Sequence, residues 1–176
     1  MIENNEELLT PTAFIQSTHN TVAAQIALLL KCYNYNNTFV HRGLSFESAL
    51  LDAITLIEEQ QMSSALVGGI DELTATSYTL LSRFGLYKKD ITGSNLLYNN
   101  PARGTIAGEG AAFFLITAQP GAKDCARIKG MSTFYKPEGV VEIERNILHF
   151  ISHHGLSMQD IDLVITGDNG NVKEDR

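Results

Sequence analysis

The chain has 176 residues, 44% of them hydrophobic and 19% charged, which is enough apolar surface for a packed core and too little polarity for a disordered tract. Thirteen Lys and Arg against twenty Asp and Glu leave a formal charge of −7. A net field of that sign opposes sequence-independent binding to nucleic acid or to an anionic membrane, although local basic patches can still form.

The pattern from Ser17 onward alternates helical and strand-like segments, which predicts an α/β fold around one sheet. Ser17 to Leu30 places Val22, Ala23, Ile26, Ala27 and Leu30 on one helical face, with Ser17 or Thr18 as N-cap. After the Asn34 to Asn37 turn, Thr38 to His41 reads as a short strand, Gly43 as a sharp bend and Ser45 to Gln61 as a helix. That helix carries Ala49, Leu50, Ala53, Ile54 and Ile57 at core spacing, with Glu47, Asp52, Glu58 and Glu59 facing water. Ser64 to Val67 reads as a buried parallel strand ending in Gly68-Gly69. Phe84 to Arg103, rich in Gly, Asn, Lys and Asp, reads as a long excursion, and Gly108-Glu109-Gly110 introduces a strand over Ala111 to Ile116. Gln119-Pro120-Gly121 marks a boundary, dividing the chain into 1–120 and 121–176. Beyond it, Ala126 to Phe134 is expected to be a strand, Val140 to His153 a helix stopped by Gly155, and Ile161 to Ile165 a further strand.

The glycine pairs follow neither GxGxxG nor GxxxxGK[ST], so no nucleotide-binding loop is indicated, and no cofactor is expected. Cys32 and Cys125 lie far apart without CxxC spacing and away from the predicted strand-to-helix bend, which points to neither a disulfide framework nor an activated thiol. A reducing, cytoplasmic setting fits that usage. Adjacent His153 and His154 cannot project the same way from a helix and read as a solvated helix end, so no metal site is expected. Ser45, followed by Glu47 in the first turn, reads as the N-cap of an ordinary helix start. The longest apolar run, Ile26 to Leu30, is far short of a membrane span, and the acidic start from Met1 to Leu8 is unlike a signal peptide.

Five stretches occur in one order: Pro11 to Ala24, Val40-His-Arg-Gly-Leu-Ser-Phe-Glu-Ser-Ala49, Ser64-Ala-Leu-Val-Gly-Gly-Ile-Asp71, Arg103 to Leu115 with its Gly108-Glu-Gly110, and Gly155 to Val164. Together they resemble the β-ketoacyl synthases of the thiolase superfamily. The resemblance implies a layered αβαβα fold built from two related halves, usually dimeric. In it a cysteine at a strand-to-helix bend accepts an acyl chain from acyl carrier protein, and two histidines assist decarboxylative condensation. Against that pattern the chain comprises most of the first half without its opening strand, plus the start of the second, as a segment of a longer polypeptide or a reduced homologue would.

Counted back from Gly68-Gly69, the position matching the family's nucleophilic cysteine is Gly43, and a slip of one residue would bring Leu44, equally inert. Counted forward from Asp160-Ile-Asp162, the first catalytic histidine is matched by Gly167, and the second would fall beyond Arg176. The resemblance therefore implies no catalytic residue and a subunit like the chain-length factors that pair with an active synthase. In that reading Thr38 to Arg42 pairs across the dimer, while His41, Gly43, Leu44, Ser45, Phe84 and Gly85 border the acyl tunnel. Acyl carrier protein is acidic, so docking calls on a local basic patch, for which Lys88, Lys89, Lys123, Arg127 and Lys129 are candidates. Two alternatives stay open. One is a divergent acyltransferase acting on acyl thioesters through His41 or Ser45; the other is a non-catalytic binding module that kept the fold.

Overall fold

The computed structural model describes residues 11–41, 43–89, 93, 99, 102–172 and 175. Its elements are α1 (Pro11–Gln16), α2 (Thr21–Leu29), α3 (Ser45–Glu58), β1 (Ser64–Asp71), α4 (Ala75–Arg83), β2 (Gly110–Thr117), α5 (Val140–His153) and a 3₁₀ turn, Met158–Asp160. The chain forms two compact units, Met1–Gly68 with Phe113–Pro120, and Gly69–Ala112 with Gly121–Arg176.

In the first unit, the helix expected over Ser17 to Leu30 forms as α2 but starts later, at Thr21. The Ser17 and Thr18 hydroxyls donate to the carbonyls of Phe14 and Ile15 at 2.7 and 2.8 Å, and the Thr21 hydroxyl also reaches Ile15. Those hydroxyls close the end of α1 instead of opening α2, whose N-cap is Asn20 without a side-chain bond. Core spacing in α3 is as expected: Ala53 is buried, and Ala49, Leu50, Ile54 and Ile57 are half-buried. Phe46 meets Phe114 of β2 edge-on at 6.0 Å. Lys31 and Gln60 terminate α2 and α3 at φ 52° and 59°. In each case the two N–H groups after the cap return to carbonyls in the last turn, Lys31 to Leu28 and Cys32 to Ala27, then Gln60 to Ile57 and Gln61 to Leu56.

Three expected strands are not strands. Thr38 to His41, Ala126 to Phe134 and Ile161 to Ile165 are irregular, and Arg42, the end of the segment expected to pair across a dimer, lies outside the described residues. Each has a strand-like composition, but a strand exists only through hydrogen bonds to a neighbour, and among the described residues the sheet contains β1 and β2 alone. Leu163, Val164 and Ile165 stay exposed, and among the described residues Thr38 Oγ1 is buried without a hydrogen-bond partner.

The strand expected over Ser64 to Val67 forms but differs in kind. It runs on through Gly68-Gly69 to Asp71, and only Val67 is buried. Ala118 N–H donates to Ser63 O at 3.0 Å, so the end of β2 lies beside the start of β1 and the pair is antiparallel, not parallel. The result is a mixed α/β protein with few strands.

In the second unit, α4, not among the elements expected from the sequence, starts at a capping box: Thr74 Oγ1 accepts from Ser77 N–H at 3.1 Å and Ser77 Oγ accepts from Thr74 N–H at 3.0 Å. The excursion that follows is pinched at its neck. Tyr87 bridges Thr105, the Tyr78 and Tyr87 rings stack at 5.6 Å, and Lys88, 5% exposed, donates from Nζ to Ala102 O at 2.7 Å. Most of the segment between, residues 90–92, 94–98, 100 and 101, lies outside the described residues. α5 spans the expected residues and ends at Gly155, whose φ of 70° lets Gly155 and Leu156 N–H return to Ser152 and Ile151.

Candidate functional site

The bend before α3 is organised by His41. Its Nδ1 accepts from the N–H groups of Gly43 and Leu44 at 3.3 and 3.1 Å, satisfying donors that a helix start otherwise leaves open. Two donors facing Nδ1 assign the Nε2–H tautomer. His41 N–H donates to Ser45 Oγ at 2.7 Å, and the Ser45 hydroxyl returns a bond to His41 O. Ser45 is thus the first residue of the helix and not its cap, a correction to the sequence reading; the N-cap is Leu44, with no side-chain bond of its own. The Ser45 hydroxyl is held by the backbone of His41 and not by its imidazole, which is not the arrangement of a base-activated nucleophile.

Gly43 is exposed, its φ lies outside the left-handed region, and a Cβ built on it meets nothing within 4 Å. Neither backbone nor packing requires glycine there, and a thiol would fit. Cys32 follows α2 and Cys125 sits between β2 and α5; both are exposed, and neither bonds to the bend. In the second unit, the carboxylate of Glu109 accepts from Leu73 N–H at 2.8 Å and so ties the turn after β1 to the Gly108-Glu109-Gly110 run.

The remaining expected residues are placed as follows. Phe84 caps α4 and is 77% exposed, and Gly85, at φ 72°, ends that helix by sending its N–H to Ser82 O. Gly167 is exposed in an irregular segment with open space around it. Lys89, Lys123, Arg127 and Lys129 are exposed, whereas Lys88 is buried and held by a carbonyl. Burial removes Lys88 from any docking surface, because its ammonium is committed to closing the neck of the excursion. An open groove of about 690 Å³ between α5 and the following turn, lined by Val141, Leu148, Ile151, Leu156 and Met158, includes none of these residues. There the Asp160 carboxyl is held below the usual carboxylate range by hydrogen bonds from the Ser157 hydroxyl and then its N–H.

Residues 2–121, about two thirds of the chain, match the family described as Beta-ketoacyl synthase, N-terminal domain. The chain belongs to that family. A search of curated proteins finds no match. The β-ketoacyl synthase match contains the His41 to Ser45 bend, Phe84, Gly85, Lys88, Lys89 and the Gly108-Glu109-Gly110 run, while Lys123, Arg127, Lys129 and Gly167 lie beyond it. Membership implies a thiolase-like fold, present here in part. Among the described residues no helix is long and apolar enough to cross a membrane.

Proposed function

We propose that this β-ketoacyl synthase-like domain serves fatty-acid or polyketide assembly as a catalytically silent subunit, of the chain-length-factor kind, that shapes the acyl tunnel of an active synthase. The observation that carries the reading is Gly43 at the bend where the family's cysteine is expected. Thioester formation needs a heteroatom with a lone pair at that point, and glycine offers none. Support also comes from the space around Gly43, since the missing side chain is not one that packing forbids.

In this reading the partner synthase supplies the nucleophile and the histidines, and acyl carrier protein delivers the chain. His41, Leu44, Ser45, Phe84 and Gly85 border the tunnel. The layered αβαβα arrangement in this reading has its halves at 1–120 and 121–176. Docking of an acidic carrier draws on the exposed Lys89, Lys123, Arg127 and Lys129, which offset a net charge of −7 locally.

The test is co-expression with a synthase that retains its cysteine and with a carrier protein, followed by mass analysis of products and of this chain after exposure to an acyl-thioester probe. A shift in product length with no acyl group on this chain is the expected result. Acylation at Ser45 or His41 would make it an acyltransferase instead, and unchanged products without acylation would leave a binding module; either overturns the proposal.

A further inference from the structure

We infer that the last turns of α5 carry a two-histidine chelate for a divalent late transition ion such as Zn²⁺ or Ni²⁺. His149 and His153 stand four residues apart on one continuous helix, so both project from the same face, one turn apart. Their rings lie 17° from parallel with centroids 6.3 Å apart. Both side chains are exposed, and among the described residues neither imidazole makes a hydrogen bond or an ion pair, so their ring nitrogens are available.

Imidazole nitrogen is a preferred donor for these ions, with metal–nitrogen bonds of about 2.0–2.1 Å. Rotation of two exposed side chains about their χ angles brings one nitrogen of each ring to about 3 Å from the other, the separation such bonds require. Once one imidazole binds, the second acts at high effective concentration because the helix holds it one turn away.

The neighbouring His154 meets the His153 ring only edge-on, at 5.5 Å and 78°, and is held elsewhere. Its ring packs edge-on against Phe150 at 4.8 Å, and it sits so close over Gly130 that a Cβ there would collide with it. No group of three or more His, Cys, Asp or Glu is placed to hold a metal among the described residues, so the site has two protein ligands and its other positions belong to water.

The test is calorimetric titration of the whole chain with ZnCl₂ and with NiCl₂, in a Cys32→Ser/Cys125→Ser background that removes the exposed thiols as competing ligands. Expected is one site per chain whose affinity falls about tenfold or more in His149→Ala and in His153→Ala and stays unchanged in His154→Ala and His41→Ala. Because all these side chains are exposed, an unchanged far-UV spectrum establishes that the variants fold. Zn²⁺-induced shifts of the His149 and His153 ring resonances give a second readout. Wild-type affinity in either single variant, an equal loss in His154→Ala, or no binding by the parent chain overturns the inference. None of these results bears on the reading of Gly43.

Discussion

Two glycines of this chain differ in why they are glycine, and substituting each measures the difference. At Gly104 φ is +86°, and an added Cβ would lie 2.9 Å from the backbone C and O of Leu86 and from the C of Tyr87. The left-handed conformation alone costs an L-residue about 1–2 kcal/mol. Backbone cannot rotate aside as a side chain can, so the collision adds about 1–3 kcal/mol of overpacking. Gly104→Ala is therefore expected to destabilise by about 2–5 kcal/mol, parting the Tyr87–Thr105 bridge that the glycine seats. At Gly43 the same methyl meets open space at an ordinary φ, so Gly43→Ala is neutral or stabilises by up to about 1 kcal/mol through the unfolded chain. Urea denaturation followed by circular dichroism reads this directly: at about 2 kcal/mol per molar, the Gly104 variant loses roughly 1–2.5 M of midpoint while the Gly43 variant keeps its own or gains up to about 0.5 M. Gly43→Cys should likewise fold and raise the number of maleimide-reactive thiols from two to three by mass. A midpoint loss in Gly43→Ala as large as that expected for Gly104→Ala would refute the reasoning, because Gly43 would then be a structural necessity and its lack of a thiol would say nothing about chemistry.

Lys88→Met keeps the buried stem and removes the ammonium, leaving the Ala102 carbonyl without that donor, and should cost about 1–3 kcal/mol, whereas Lys89→Met at an exposed position should stay within about 0.5 kcal/mol; thermal denaturation of both variants checks the contrast. Asp160 is lowered in the folded chain by its bonds from Ser157, so its contribution is complete above the ordinary carboxylate value and is lost as pH falls through the lowered one. An NMR titration should show the Asp160 carboxyl returning toward the ordinary value in Ser157→Ala, and no change would remove hydrogen bonding as the cause.

Local chemistry was readable from the sequence wherever one segment satisfies itself. α5 with its Gly155 stop, the buried face of α3 and the turn at Gly43 all follow from periodicity and turn residues within a few positions of one another. The family was readable too, because motif order along the chain survives without any knowledge of contacts. Only tertiary structure decided which apolar runs become strands, since Ser64 to Asp71 finds Gly110 to Thr117 beside it and Ile161 to Ile165 finds no ladder partner among the described residues. It also decided that Lys88 is buried while Lys89 is exposed, whereas the bonds from the Gly43 and Leu44 amides to the His41 imidazole are local and turn on the rotamer that His41 adopts. A helix closes its hydrogen bonds within its own four-residue reach, so its code is local; a strand and a buried ammonium each need a group brought from elsewhere along the backbone, and that group is supplied by folding.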